Sequence, residues 1–333
     1  MNNFTYYRPT SLQSAVAVLD ASYGTSELLA GGTDLLDLQK EYIAQPQKVV
    51  SLSGLGKEFR SIRVHEGTPL RVEIGAGATL ADIAEHELLR KHFPALTDAA
   101  GQIGGPQIRN MGTLGGNLCQ RNRCWYFRDE GVPCLLKGGR TCYALDGENR
   151  YHAVFTQGHR CVIVHPSTLA PALIALGAEA EVFGPGGVRT IPLSKFFRAP
   201  QGPEEREHVL AANEIVTKVS LVAGPRNASY EVRHKQSYDW PLVQAAAAFD
   251  LQDGRASQVR IVLGHVAPTP HVAEAAAKVL EGNRITEETA SAAGEAATQG
   301  ARPLRDNAYK VKLIQVAVKR AVLLASGAQP YWQ

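Results

Sequence analysis

The sequence predicts an α+β chain built in three successive parts: a small βαβ unit, a mixed sheet-and-helix unit and a C-terminal α+β unit. Three observations carry this. The apolar run in ELLAGGTDLLDLQK meets a glycine turn and continues as a helical pattern. From residue 60 the chain alternates β-rich runs with turns, as in RSIRVHEGTPLRVEIGAG. In the last third two strand-like runs, AAAAFDLQDG and SQVRIVLGHV, flank an Asp-Gly turn and precede three alanine-rich helical patterns. Runs of period two bounded by turn residues read as strands, and apolar spacing of three to four reads as helix.

Taken in order, SLQSAVAVLDA has the apolar spacing of an amphipathic helix entered from Pro9 and Thr10. The strand, glycine turn and helix around AGGTD follow, and QKVVSL at 47–52 reads as another short strand. Gly54 and Gly56 mark a turn, so the first unit is placed at 1–55. In the second unit, 56–222, the run from Thr79 to Arg90 reads as one helix capped by Thr79, and HFPALTDAAGQI as more helix. HPSTLAPALIALGAEAEVFG reads as a helix and then a strand, and AGPRNAS marks the next boundary. The third unit is placed at 223–333. Its alanines fit close-packed helices, since the apolar periodicity persists through AEAAAKVLEG, TEETASAAGEAAT and NAYKVKLIQVAVKRAVLLAS.

A chain of 333 residues is long enough for two or three self-sufficient cores, so disulfides are not needed for stability. Lys plus Arg number 35 against 32 for Asp plus Glu. That near balance argues against a nucleic-acid partner, which calls for concentrated basic charge. MNNFTYYRPTSLQ lacks a basic segment followed by an apolar run, and no apolar run is long enough to cross a bilayer. The expectation is a soluble chain with no signal peptide of its own and no direct membrane insertion.

Two glycine-rich sites stand out. In AGGTD, glycines at a strand-to-helix junction can leave backbone N–H groups open to an anion, and Thr33 adds a hydroxyl. The pattern is neither GxGxxG nor GxxxxGK, so a structural turn and a phosphate cradle both stay open. In MGTLGGN, the residues Gly112, Thr113, Gly115, Gly116 and Asn117 combine bare backbone with a hydroxyl and an amide. Gly104, Gly105, Gln107, Arg109 and Asn110 extend that surface. Two such sites in successive units suit one long cofactor clamped between domains.

All five cysteines, Cys119, Cys124, Cys134, Cys142 and Cys161, fall in one segment of the chain. An odd number fits a closed disulfide set poorly. Thiolate groups select zinc or iron–sulfur centres. The wide, irregular spacing departs from the tight CxxC of structural zinc and is compatible with a cluster held by a folded excursion. Cluster, zinc and free thiols remain open on spacing alone. Cys119 directly follows GGNL and so is tied to the second glycine site. Arg121, Arg123 and Arg128 read as support for the loop, and Trp125, Tyr126 and Phe127 as its packing. The ten histidines form no HExxH-type motif, and no catalytic acid or base is assigned.

AGGTDLL with IRNMGTLGGN resembles the paired flavin-binding signature of the FAD subunits of molybdenum hydroxylases, the xanthine dehydrogenase and carbon monoxide dehydrogenase group. VLGHVAPTP at 262–270 and NAYKVKL at 307–313 resemble that family's C-terminal signatures. The resemblance implies the family's two-part FAD-binding domain followed by a C-terminal flavoprotein domain. It implies that Ala30, Gly31, Gly32, Thr33, Asp34 and Leu35 wrap the FAD pyrophosphate. Ile108, Arg109, Asn110, Gly112, Thr113, Leu114, Gly115, Gly116 and Asn117 would continue along the pyrophosphate and ribityl chain toward the isoalloxazine, with Lys235 near the flavin. The chain departs from the family at Thr168, often acidic there, and at Ser237, often arginine.

A subgroup, resembling 4-hydroxybenzoyl-CoA reductase and the exported bacterial aldehyde oxidoreductases, carries an added [4Fe-4S] cluster in this subunit. RCWYFRDEGVPC, RTC and HRCVIVHPS look most like the aldehyde oxidoreductase version. That resemblance implies Cys124, Cys134, Cys142 and Cys161 as ligands and leaves Cys119 as a neighbour of the flavin. It also implies the partners: a large molybdopterin subunit that oxidises the substrate and a small subunit with two [2Fe-2S] clusters, in an αβγ heterotrimer. The FAD here would pass electrons to an external acceptor. The complex is expected in the periplasm through a signal-bearing partner, or else in the cytoplasm. A 4-hydroxybenzoyl-CoA reductase-like subunit and a zinc-binding scaffold are the competing readings.

Overall fold

The computed structural model describes residues 1–156, 158–329 and 332. The first sheet is parallel, in the order β1 (Thr5–Tyr7), β3 (Lys48–Ser51), β2 (Ser26–Leu29). Helix Leu12–Val18 joins β1 to β2, and Ser11 and Ser14 form a reciprocal capping box at its start. Helix Leu35–Lys40 joins β2 to β3. The predicted βαβ unit is therefore present, with β1 as a strand that TYY was too short to announce.

The second sheet is antiparallel and runs β4 (Ile62–His65), β5 (Arg71–Gly75), β8 (Ile215–Val222), β6 (Glu179–Gly184), β7 (Gly187–Pro192). Everything from residue 76 to residue 178 is an excursion between β5 and β6. Thr79 caps helix Leu80–Glu85 as expected, with Asp82 completing the box. The helix does not run on to Arg90. It stops at His86, whose backbone is extended, and a second helix, Glu87–His92, begins there. The Arg90 guanidinium donates to the freed Ala84 carbonyl at 2.8 Å, which makes the break tolerable. Pro94 opens the next helix, Pro94–Gln102, at a position where its missing N–H costs nothing.

The third sheet is antiparallel: β12 (His271–Val272), β11 (Arg255–Gly264), β10 (Val243–Gln252), β9 (Arg226–Val232). Asp253 and Gly254 both have positive φ, 50° and 77°, so the Asp-Gly turn between β10 and β11 is the mirror-type turn its sequence demands. β10 explains the alanine run. Ala246 and Ala248 belong to the core shared with helix Leu169–Ala175, while Ala245, Ala247 and Phe249 face the C-terminal helices. A strand covered on both faces needs small side chains to let both layers approach. Helices Glu274–Leu280, Glu287–Ala296 and Tyr309–Ser326 cover the outer face. Among the described residues no helix is long and apolar enough to cross a membrane.

Candidate functional site

The two glycine segments meet. A Cβ on Gly31 would overlap the carbonyl oxygen of Met111, so bare backbone is required for the contact. Gly32, at φ 77°, occupies the left-handed region that glycine reaches without strain. Both segments line one cleft of about 870 Å³.

They contribute differently. Among the described residues the amides of Gly31, Gly32, Thr33 and Asp34 donate to no acceptor within the chain. The second segment is not an open loop. It folds into helices Pro106–Met111 and Leu114–Cys119, and the Thr113 hydroxyl caps the latter by accepting from the Gly116 N–H at 3.1 Å. The amides of Leu114 and Gly115 donate to Ala78 and Ala76, and that of Asn117 to Thr113. The Asn117 carboxamide oxygen accepts from the Ser167 hydroxyl at 2.6 Å. The first segment thus offers free donors, and the second offers a smooth, rigid wall.

Of the residues singled out from the sequence, Ala30, Gly31, Gly32, Thr33, Asp34, Leu35, Ile108, Gly112, Thr113, Gly115, Gly116 and Asn117 line the cleft. Arg109, Asn110, Leu114 and Lys235 are not among its lining residues. Arg109 instead braces the wall by donating to the carbonyls of Ile103 and Gly104. Leu114 is fully buried in the core, and Asn110 is exposed. Lys235 sits on the exposed loop between β9 and β10, where the Asp239 carboxylate accepts from the N–H groups of His234, Lys235 and Trp240. That turn leaves Tyr238, Asp239 and Trp240 on the cleft. Thr168 lines it as well, and its hydroxyl lies 3.3 Å from His265 Nε2. Gly104 and Gly105, expected to extend the second glycine surface, line the cleft too, whereas Gln102, Ile103, Glu231, Tyr238 and Trp240 were not foreseen, because strand pairing and loop geometry, not a motif, bring them there.

Cys124, Cys134, Cys142 and Cys161 gather around a second, small pocket with Phe127, Leu135, Leu136 and Ile163. They form an apolar cluster that also takes in Leu38, Ile43 and Ala44 of the first unit. Cys119 stands apart and lines the large cleft. The Cys161 thiol hydrogen-bonds Cys142, which brings the Cys142 thiol down to about 6 and pushes Cys161 up. Burial raises Cys119 and Cys124 to about 12. His152 Nε2 is 3.2 Å from Cys124 Sγ. Among the described residues no three His, Cys, Asp or Glu side chains are placed to hold a single metal ion.

The arginines tie the two sites together. Asp34 receives Arg128 at 2.7 Å, Arg123 at 3.1 Å and the Arg121 N–H at 2.9 Å. Arg121 also pairs with the fully buried Glu207 at 2.8 Å. Burial alone would raise the Glu207 carboxyl, but Arg121 and the two Asn122 donors outweigh it and hold it below its usual range. Arg123 stacks over the Trp240 ring. The expected loop support is what these three side chains provide.

Residues 2–223 match the family described as FAD binding domain in molybdopterin dehydrogenase, and residues 228–325 match CO dehydrogenase flavoprotein C-terminal domain. The chain belongs to the FAD-binding subunits of the molybdenum hydroxylase family. It is 35% identical to the aldehyde oxidoreductase FAD-binding subunit PaoB of Escherichia coli K12, over 94% of this chain and 95% of that one. It is 29% identical to the carbon monoxide dehydrogenase medium chain of Hydrogenophaga pseudoflava, over 96% of both. A solved structure of carbon monoxide dehydrogenase from that organism superposes with a TM-score of 0.76, at 28% identity and 98% coverage of both chains. The fold recurs in quinoline 2-oxidoreductase from Pseudomonas putida 86, with a TM-score of 0.75 and 98% coverage of both.

The cleft fits the family's FAD. It joins bare glycine backbone and four free amides, suited to a diphosphate, to a volume of about 870 Å³, the size of a cofactor site. Asp34 keeps its N–H open to the cleft, while its carboxylate is occupied by the three arginine contacts, and this neutralises an anion that would otherwise repel a diphosphate.

Proposed function

We propose that this chain is the FAD- and [4Fe-4S]-bearing electron-transfer subunit of a molybdenum-dependent aldehyde oxidoreductase, assembled with a small [2Fe-2S] subunit and a large molybdopterin subunit. The observation that carries the two-cofactor reading is a shared wall: Phe127 and Leu136 line both the large cleft and the four-cysteine pocket. The aldehyde is supported by the 35% identity to the PaoB subunit.

When bound, FAD supplies two-electron and the cluster one-electron redox chemistry, and the protein positions and insulates them. The amides of Gly31, Gly32, Thr33 and Asp34 are available to the diphosphate. Ala30, Gly112 and Gly116 let the cofactor lie close to the backbone. Cys124, Cys134, Cys142 and Cys161 supply four thiols, the donor set of a [4Fe-4S] centre. Phe127, Leu135, Leu136 and Ile163 keep water from them.

Iron and flavin content of purified Cys-to-Ser variants tests the reading. Cys134→Ser and Cys161→Ser are expected to lose iron while keeping FAD, and Cys119→Ser to keep its iron. Zinc in place of iron in the unaltered chain would sink the cluster assignment, and absence of flavin would sink the whole proposal.

A further inference from the structure

The carboxyl of Glu231 has only one distant charge partner, Arg233, among the described residues. It stands on β9, its side chain is 2% exposed, and it lines the large cleft. Its Oε1 has no hydrogen-bond partner among the described residues. The hydrogen-bond donors on the neighbouring elements are already committed. Arg233, just past the end of that strand, stays 3.8 Å from Oε2, and its guanidinium donates to the backbone and side-chain oxygens of Gln102, at 3.1 and 2.8 Å. Gln244, opposite on β10, gives its amide N–H to Thr168 and Ser229, and its Oε1, like that of Glu231, accepts from no group among the described residues. Asp98, on helix Pro94–Gln102, adds a like charge. Arg320, on helix Tyr309–Ser326, is turned to the rings of Tyr230 and Trp332.

Burial, which Arg233 only partly offsets, pushes the Glu231 carboxyl up to about 8, so at neutral pH it is the acid. A carboxylic acid both donates and accepts a hydrogen bond. Left unpaired it is destabilising, and a ligand reaching it removes that cost.

The surroundings define that ligand. Residues 102–105, Tyr238 and Trp240 line the same cleft as Glu231. Tyr238 holds a φ of 56°, and its ring sits directly on Gly105, where a Cβ would overlap it. An aromatic face, a peptide edge and a neutral acid suit a flat conjugated ring whose rim carries both N–H and C=O groups.

We propose that Glu231 is a hydrogen-bonding contact of the flavin ring, pairing its carboxylic acid with the N–H and C=O rim of the isoalloxazine. The assignment rests on the FAD reading above. It makes Glu231 a residue kept at the expense of stability in order to hold and tune the cofactor.

The test compares the full chain with its Glu231→Gln and Glu231→Leu variants, by thermal unfolding without FAD, by FAD titration and by the visible flavin spectrum. Glu231→Leu is expected to melt higher without FAD, because a desolvated unpaired acid is gone. It should bind FAD about tenfold more weakly, the worth of one good hydrogen bond, with a shifted flavin band. Glu231→Gln, which also donates and accepts, should keep affinity within about twofold and keep the band. Equal affinity and identical spectra in all three chains would overturn the assignment while leaving FAD binding intact. A lowered melting temperature in both variants, with affinity falling in step, would make Glu231 structural. An unaltered chain that takes up no FAD would remove the FAD reading itself, and this assignment with it.

Discussion

The Asp34 carboxylate and the Arg128 guanidinium meet at 2.7 Å although 94 positions separate them in sequence. The same guanidinium reaches Asp37 at 2.8 Å, and Arg123 and the Arg121 N–H complete the set around Asp34. Both partners are mostly buried, with side chains 18% and 12% exposed. The cysteine excursion is thereby locked to the helix that follows the first glycine turn.

Asp34→Ala strands several donors at once and is expected to cost about 3 kcal/mol of unfolding free energy. Arg128→Ala, which leaves Arg123 and Arg121 on Asp34, should cost about half as much. A double-mutant cycle in urea should show a coupling of about 1–2 kcal/mol. Simple additivity of the two losses would mean that the pair does not act as a unit.

Gly31→Ala places a methyl group on the Met111 carbonyl, a backbone atom that cannot rotate away. The two segments must part, at a cost of about 1–3 kcal/mol for overpacking. Flavin retained per chain after gel filtration should drop sharply. Gly56→Ala serves as the control, since a Cβ there meets open space, and it should leave flavin content unchanged.

These two contacts show what was legible in the sequence and what was not. AGGTD announced bare backbone, and its turn is where it was placed, but the need for bareness at Gly31 comes from Met111, 80 residues on, which no local pattern reveals. MGTLGGN reads from its glycines as bare backbone, with no helix expected there. Pro106 at a first helical position and Thr113 at a cap were helix signals of the same strength, and capping prevailed. The three-residue β1 exists only through its pairing with β3. Glu231 and Tyr238 reach the cleft through the packing of β9 on helix Pro94–Gln102 and through a left-handed residue in a loop, relationships set by tertiary structure.

Acid should destabilise the chain well above the usual carboxylate range. Burial lowers His165 to about 4 and His208 and His265 to about 3. In the unfolded chain each titrates near 6.5. Between these values the unfolded state binds more protons, so stability falls as pH drops from about 6.5 toward 4, by at most about 1.4 kcal/mol per pH unit per histidine. Urea midpoints at pH 7, 6 and 5 should fall steadily. His265→Gln should flatten the slope, and an unchanged slope would show that His265 is not held neutral.

Lys310 is 1% exposed, and its ammonium group donates to three backbone carbonyls, those of Tyr151 at 2.9 Å, His152 at 3.1 Å and His265 at 2.8 Å. It staples the segment bearing His152, beside Cys124, to the end of β11, where His265 adopts a φ of 62°. Lys310→Met leaves the three carbonyls unpaired in the interior, at a cost of about 3 kcal/mol. The cysteine pocket should loosen first, so iron content should fall more than FAD content. Burial also lowers the Lys310 ammonium from 10.5 to about 7. Above pH 7 the folded chain releases that proton while the unfolded chain keeps it, so stability should rise with pH between about 7 and 10. That rise should vanish in Lys310→Met, because methionine carries no proton to release. A rise that persists in the variant would assign it to other groups and leave Lys310 with the staple alone.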